Sequence, residues 1–247
     1  MGEASAQLTA WLRFCRHLPA VRHLPYEQRV RLYALTEGFL RRKRFSGAQG
    51  LVVDRFRQRL IATHACLPVL NIGLDWLQGW SSLVIYPDEF LAPVVEIDPA
   101  GVVHEYLDPR SGESWPDGPL VLSWADVRQD TFDPCGNHVV IHEIAHKLDG
   151  LNGHENGFPP LHAQMSPSAW TDAFSHAFIH LHQQLAADET PHLDPYAGES
   201  PAEFFAVCSE VFFTQPEALL THYPDVYQQL QLFYRQTPHL WHVQTHH

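Results

Sequence analysis

Val139-Val140-Ile141-His142-Glu143-Ile144-Ala145-His146-Lys147-Leu148-Asp149-Gly150 is the stretch on which the reading of this chain turns. It sets H-E-x-x-H into an otherwise apolar run. On a helix, His142 and His146 share one face about 6 Å apart along the axis, close enough for two imidazoles to reach one zinc ion. Glu143 points slightly off that line, where a carboxylate can hold a water and take its proton. Three polar side chains together on a buried helix must each find a partner, and a metal site gives them one. Asp133-Pro134 and Asn137 are the expected caps at the helix start, and Gly150 with Asn152-Gly153 the expected stop.

Two histidines leave a catalytic zinc incomplete, because such sites hold three protein ligands plus water. Asp149 lies about 10.5 Å along the axis from His142, too far for its short side chain. A hydrogen bond that steadies a ligand or the helix end suits it better. The longer metzincin pattern calls for a glycine and a histidine where Asp149 and Asn152 stand, so that pattern is absent. The third ligand is sought further on, in Tyr196-Ala197-Gly198-Glu199-Ser200-Pro201-Ala202-Glu203-Phe204-Phe205-Ala206-Val207-Cys208-Ser209-Glu210-Val211-Phe212-Phe213. This reads as a loop and then a helix capped by Ser200, with Pro201 at its first position. Glu203 and Glu210 share one face of that apolar helix. Ser200-x-x-Glu203 also reads as a capping box, which gives Glu203 a plain structural role. Both glutamates stay open as ligands from the pattern alone, Glu203 ahead of Glu210.

Working outward, residues 5–17 and 25–43 read as amphipathic helices, the second ending in Arg41-Arg42-Lys43-Arg44 as a solvated last turn that complements the helix dipole. Residues 54–71 read as a third helix, kinked or ended by Pro68. From Trp80 short runs take over, Ser82–Tyr86, Val94–Ile97, Val102–Leu107 and Leu120–Trp124, broken by turn residues such as Asp98-Pro99-Ala100-Gly101 and Asp117-Gly118-Pro119. They predict a small, mostly antiparallel sheet. After the histidine helix, Leu151–Pro160 is a loop long enough to wall a cleft. Residues 167–187 form a helix whose His176 and His180 are a rival pair, read as surface histidines because no acidic residue follows His176.

The chain has 247 residues, enough for one full domain, with 45% hydrophobic and 12% aromatic residues. A formal net charge of −12 repels phosphates, so direct nucleic-acid binding is not expected, while a partner with a basic face is compatible. The four cysteines, Cys15, Cys66, Cys135 and Cys208, show no paired spacing. With no signal peptide read at the start, they suggest a reducing, cytoplasmic setting. Cys135 is expected as a buried structural thiol rather than a ligand. No run reaches the roughly 18 apolar residues of a membrane span.

Taken together, the Val139–Gly150 motif with its Lys-Leu-Asp extension and the Tyr196–Phe213 stretch resemble the Mlc titration factor A family of bacterial zinc peptidases. Weaker echoes at Tyr86-Pro87 and Val121-Leu122-Ser123-Trp124 extend the resemblance over nearly the whole length. That family is a gluzincin group, similar in its catalytic part to thermolysin-like enzymes and the anthrax lethal factor catalytic domain. The resemblance implies an α+β, zincin-like metallopeptidase fold in a single domain over 1–247. Its parts would be a helical N-terminal layer (1–78), a small sheet (80–125) and a helical part carrying the zinc site (133–236). It further implies one Zn2+ per chain on His142, His146 and Glu203, Glu143 as general base, and Tyr196 as donor to the oxyanion. Glu210 and Asp149 would then stand behind the ligands.

Family members are peptidases with aminopeptidase-like activity on short substrates, so a peptide substrate is expected. The founding member also binds the glucose repressor Mlc and removes it from DNA. A different function follows as the alternative: a non-catalytic regulator that sequesters an Mlc-type repressor. A purely structural zinc site is disfavoured, because such sites close with four protein ligands, mostly cysteine and histidine.

Overall fold

The computed structural model describes residues 2–97, 103–110, 112–114 and 118–243. The expected turn at 98–101 and part of the one at 117–119 lie outside the described residues. Helices α1 (Gly2–Cys15) and α2 (Tyr26–Arg42) lead into strand β1 (Arg44–Gly47), and α3 (Arg55–Cys66) into β2 (Ser82–Tyr86). Strands β3 (Phe90–Ile97), β4 (Val103–Arg110), β5 (Gly112–Ser114) and β6 (Leu120–Ser123) follow. The rest is helical: α4 (Trp124–Phe132), α5 (Val139–Asp149), α6 (Pro167–Ala186), α7 (Pro201–Thr214), α8 (Pro216–His222), α9 (Pro224–Tyr234) and α10 (His239–Val243).

Local chemistry sets many of these boundaries. The side chains of Asp54, Ser123, Ser166 and Ser200 each accept a backbone N–H in the first turn of α3, α4, α6 and α7. Proline follows at the first position of α6 and α7, where its missing N–H costs nothing. Pro68 ends α3, which stops at Cys66 rather than reaching 71. The basic tail of α2 departs from expectation. Arg44 belongs to β1, and Lys43 is buried, its Nζ 3.4 Å from the centre of the Trp80 ring and donating to the carbonyls of Leu77 and Trp80. The two carbonyls and the aromatic face offset only part of the cost of burial, which with the nearby Lys147 and Arg42 pushes the Lys43 ammonium down to about 8.

The sheet corrects a second expectation. Its order is β1-β2-β6-β5, with β1–β2 and β2–β6 parallel and only β5–β6 antiparallel. Helix α3 lies between β1 and β2 in the chain and supplies the crossover a parallel pair requires. Between β2 and β6 the chain departs into a separate antiparallel hairpin, β3–β4, and returns in its original direction. The expected antiparallel pairing therefore holds for that hairpin and for the sheet edge, not for the sheet as a whole.

Helix α5 packs against α7, β5, β6 and α3, which puts the histidine motif at the junction of sheet and helices. Ile141, Ile144, Ala145 and Leu148 of α5 are fully buried, and an aromatic cluster including Trp170, Phe205, Phe212 and Phe233 fills the core behind α7. Each such side chain removed from water contributes about 2 kcal/mol. The start of α5 is not capped by Asp133 or Asn137. His138 is the N-cap residue and makes no side-chain cap. Instead Asp130 Oδ2 accepts Val139 N–H at 2.8 Å, and Glu210 Oε2 accepts His138 N–H. Carboxylates from other elements also favour the positive end of the helix dipole. Among the described residues no helix is long and apolar enough to cross a membrane. All four cysteines are free, and Cys135 is exposed rather than buried because its loop lies at the surface ahead of α5.

His64 of α3 and His138 are both completely buried, with ring centres 4.4 Å apart. Burial pushes His64 down to about 4 and His138 well below the usual histidine range. The unfolded chain therefore binds these protons more tightly than the folded one. Stability is full above about pH 6.5 and falls as pH drops toward 4. Between pH 7.5 and 5, His64 alone removes about 2 kcal/mol. In urea titrations at those two pH values, His64→Leu should shrink the difference by about that amount; an unchanged difference would refute the assignment.

Candidate metal centre

Helix α5 presents His142, Glu143 and His146; α7 presents Glu203 and Glu210 to the same point. His142 Nε2 lies 3.0 Å and His146 Nε2 3.3 Å from Glu203 Oε2, and the two Nε2 atoms are 3.1 Å apart. These three residues can each offer one donor atom within 4.8 Å of the others, the one such group among the described residues. Ser200 Oγ accepts Glu203 N–H at 3.1 Å, so the serine half of the capping box forms. The Glu203 carboxylate itself turns to the two imidazoles.

The donor set fits a zinc ion. Two imidazoles and a carboxylate are a catalytic ligand set that leaves a fourth position for water or substrate. Glu210 Oε1 lies 2.7 Å from His142 Nδ1. That contact keeps a proton on Nδ1, so Nε2, which faces Glu203 and His146, is the nitrogen an ion would take in exchange for its proton. Burial lowers the His142 imidazole, but the carboxylates of Glu210 and Glu203 outweigh it and hold the ring well above its usual range. Burial likewise acts to raise Glu203, yet the two imidazoles hold it far below the usual carboxylate range. A site so rich in opposed charge is suited to a cation that all three side chains can share.

Glu143 is 4% exposed, and its Oε2 has no hydrogen-bond partner. Burial pushes its carboxyl up to about 7. Gly112 of β5 runs directly against it. A Cβ at position 112 would lie 2.8 Å from Glu143 Cδ, so glycine alone permits the approach. Tyr196 sits in a short 3-10 turn, Pro195–Gly198, whose start is capped by Asp194 Oδ1 accepting Tyr196 N–H at 2.9 Å. The residue is 43% exposed, and its ring is centred 6.1 Å from that of His142.

His142, Glu143, Gly112 and Tyr196 line a cleft of about 450 Å3 with Asp126, Asp130, Asp194, Glu199 and Glu210, and among the described residues no lysine or arginine lines it. Burial lifts Asp130 to about 6. Asp149, fully buried, accepts Gly157 N–H at 2.7 Å and so braces the loop after α5. Gly157 holds φ at +75° with the backbone of Pro201 against it, which joins that loop to the start of α7.

His176 and His180 are exposed on α6, away from this centre, and Cys135 is not part of it. The sequence reading passed over Gly112, Asp130 and Asp194. Asp194-Pro195 ahead of Tyr196 has the form of a helix cap and was legible; Gly112 carried no such signal.

The chain's residues 2–235 match the family described as glucose-regulated metallo-peptidase M90. The chain belongs to that family. Among its relatives are the Mlc titration factor A proteins of Yersinia pestis (strain Pestoides F) and Yersinia pseudotuberculosis serotype O:1b (strain IP 31758). Each is 39% identical over 236 residues, covering 94% of this chain and 87% of the relative. M90 membership bears out the resemblance seen in the motif and the α+β metallopeptidase fold. It gives the His142–His146–Glu203 cluster a metallopeptidase context.

Proposed function

We propose that this M90 metallopeptidase hydrolyses short peptides from a free N-terminus, using one zinc ion per chain. The observation that carries the reading is the convergence of His142, His146 and Glu203 beside the buried Glu143 carboxylate, whose Oε2 has no hydrogen-bond partner. In this reading the two imidazoles and Glu203 hold the ion, and Glu210 orients His142. Zinc there supplies Lewis acidity, polarising a carbonyl and lowering the pKa of a water. Glu143 takes a proton from the attacking water and passes it to the amine nitrogen as the peptide C–N bond breaks. The Tyr196 hydroxyl donates to the oxygen on which negative charge develops. Strand β5, at the sheet edge beside Glu143, offers its backbone to an extended peptide. The carboxylates of Asp194 and Glu199 attract an α-ammonium group.

The test is a set of short peptides with free and acetylated N-termini. Hydrolysis of the free forms, lost on chelation and restored by zinc, is expected; equal cleavage of acetylated peptides would remove the aminopeptidase assignment. Gly112→Ala should push the Glu143 carboxylate aside and lower turnover by about 10²-fold, because misplacement of a reacting group by about 1 Å costs that much. Zinc content should not change, and wild-type turnover in this variant would refute the proposed role of the β5 contact.

A second reading rests on the relatives' name. A protein with net charge −12 suits a repressor with a basic DNA-binding face. We propose that capture of an Mlc-type repressor coexists with catalysis, in a reducing cytoplasm where the four cysteines stay free. Capture by a hydrolysis-deficient Glu143→Gln protein, measured by pull-down with purified repressor, would separate the two; no capture by wild type would eliminate it.

A further inference from the structure

Three exposed histidines that the peptidase chemistry does not use come together from three elements. His180 projects from α6, His192 from the connection between α6 and the Tyr196 turn, and His222 from the end of α8. The rings of His192 and His222 lie face to face, 3.5 Å between centres and 14° between planes. His180 reaches the same corner through Tyr223: its Nδ1 is 3.3 Å from the Tyr223 hydroxyl, and the two rings are centred 5.7 Å apart. Tyr223 is itself anchored, donating to Gln184 Oε1 of α6 at 3.3 Å. Slight burial, with the adjacent His222 and His180, holds the His192 ring below its usual range, which favours the neutral imidazole.

We propose that His180, His192 and His222 form a second metal site, selective for a borderline divalent transition ion such as zinc and separate from the catalytic centre. Neutral imidazole is the ligand that such ions prefer over magnesium or calcium. The parallel rings of His192 and His222 aim their nitrogens in neighbouring planes. The donor atoms of the three histidines do not all lie within 4.8 Å of one another in this structure. Turning the exposed rings about their side-chain torsions, a motion that is fast and cheap at a surface, would direct one nitrogen of each to a common point. The net charge of −12 favours the arriving cation.

The position of His192 gives the site a consequence. It precedes Asp194 and Tyr196 in the segment that walls the catalytic cleft. An ion held jointly with α6 and α8 would brace that segment and the Tyr196 turn. The second ion is thus a structural brace for the cleft wall, and its binding does not depend on the peptidase reading.

The experiment titrates Zn2+ into protein that already holds its first zinc, by calorimetry, with amide hydrogen exchange followed over 187–199. Wild type should bind a second equivalent and exchange more slowly in that segment. His180→Ala, His192→Ala and His222→Ala, all at exposed positions, should each weaken the second equivalent at least about ten-fold and leave the first intact. His154→Ala and a His246→Ala, His247→Ala variant should bind as wild type. Lack of a second equivalent, or its survival at wild-type affinity in any of the three site variants, overturns the site; a second equivalent without slowed exchange overturns the brace.

Discussion

Glu143→Gln should lower peptide hydrolysis by roughly 10²- to 10⁴-fold, about 3 to 5 kcal/mol of barrier, while zinc stays at about one per chain. Glutamine keeps the volume and the position on α5, so packing against Gly112 is preserved and the fold should be unaffected. What disappears is a basic oxygen. The wild-type carboxylate is almost fully enclosed, and its Oε2 makes no hydrogen bond that would tie up the lone pairs needed for a proton. An amide can neither accept that proton nor return it to the leaving nitrogen. The zinc ligands are untouched, so metal analysis of the same sample separates a lost base from a lost ion. Turnover within ten-fold of wild type would move the proton to another cleft group, with Asp130 next because burial holds it near pH 6.

The histidine helix could be read in the sequence because its information is local. His142, Glu143 and His146 lie within one and a half turns, and helical periodicity alone puts them together. Glu203 was less certain, since Ser200-x-x-Glu203 describes a capping box and a ligand equally well. Only the approach of α7 to α5 bears on the choice, and there Ser200 keeps its cap while the carboxylate turns inward. The cap of α5 was out of reach for the same reason: Glu210, which accepts His138 N–H, is 72 residues away. Local chemistry named Asp133 and Asn137 because nothing nearby revealed a distant carboxylate.

The sheet failed differently. Strand direction depends on what lies between two strands, and β1 is short and begins on Arg44, the last of a run of arginine and lysine that reads as the end of α2. Without β1 there is no visible crossover through α3, and the remaining runs with their turn residues look antiparallel. The buried Lys43 is part of the same difficulty, because its partners are backbone carbonyls and the Trp80 face, which no charge pattern shows. Gly112 shows the limit most clearly. Its requirement is set by the Glu143 carboxylate on another element, not by a turn of its own.

Glu203→Ala should abolish zinc retention after dialysis against a mild chelator, while Glu210→Gln weakens it only in part, and the order of the two is the discriminating result. Both carboxylates stand on α7 and both touch His142, Glu203 at Nε2 and Glu210 at Nδ1. The side of the imidazole decides the role. A group at Nε2, beside His146 Nε2, can share an ion with both rings; a group at Nδ1 can only orient one ring and raise its basicity. Removing such an outer partner costs about 10- to 100-fold in affinity, so loss of a direct ligand should exceed that range. Zinc per chain should therefore fall from about one to near zero in Glu203→Ala, with a partial loss in Glu210→Gln. Thermal denaturation with and without zinc provides the independent check. An ion bound only by the folded state stabilises it by RT ln(1 + c/Kd) at free ion concentration c, so that tighter binding raises the unfolding temperature further. Wild type should gain most, Glu210→Gln less and Glu203→Ala least. The reverse order would make Glu210 the ligand and leave Glu203 as the capping-box residue.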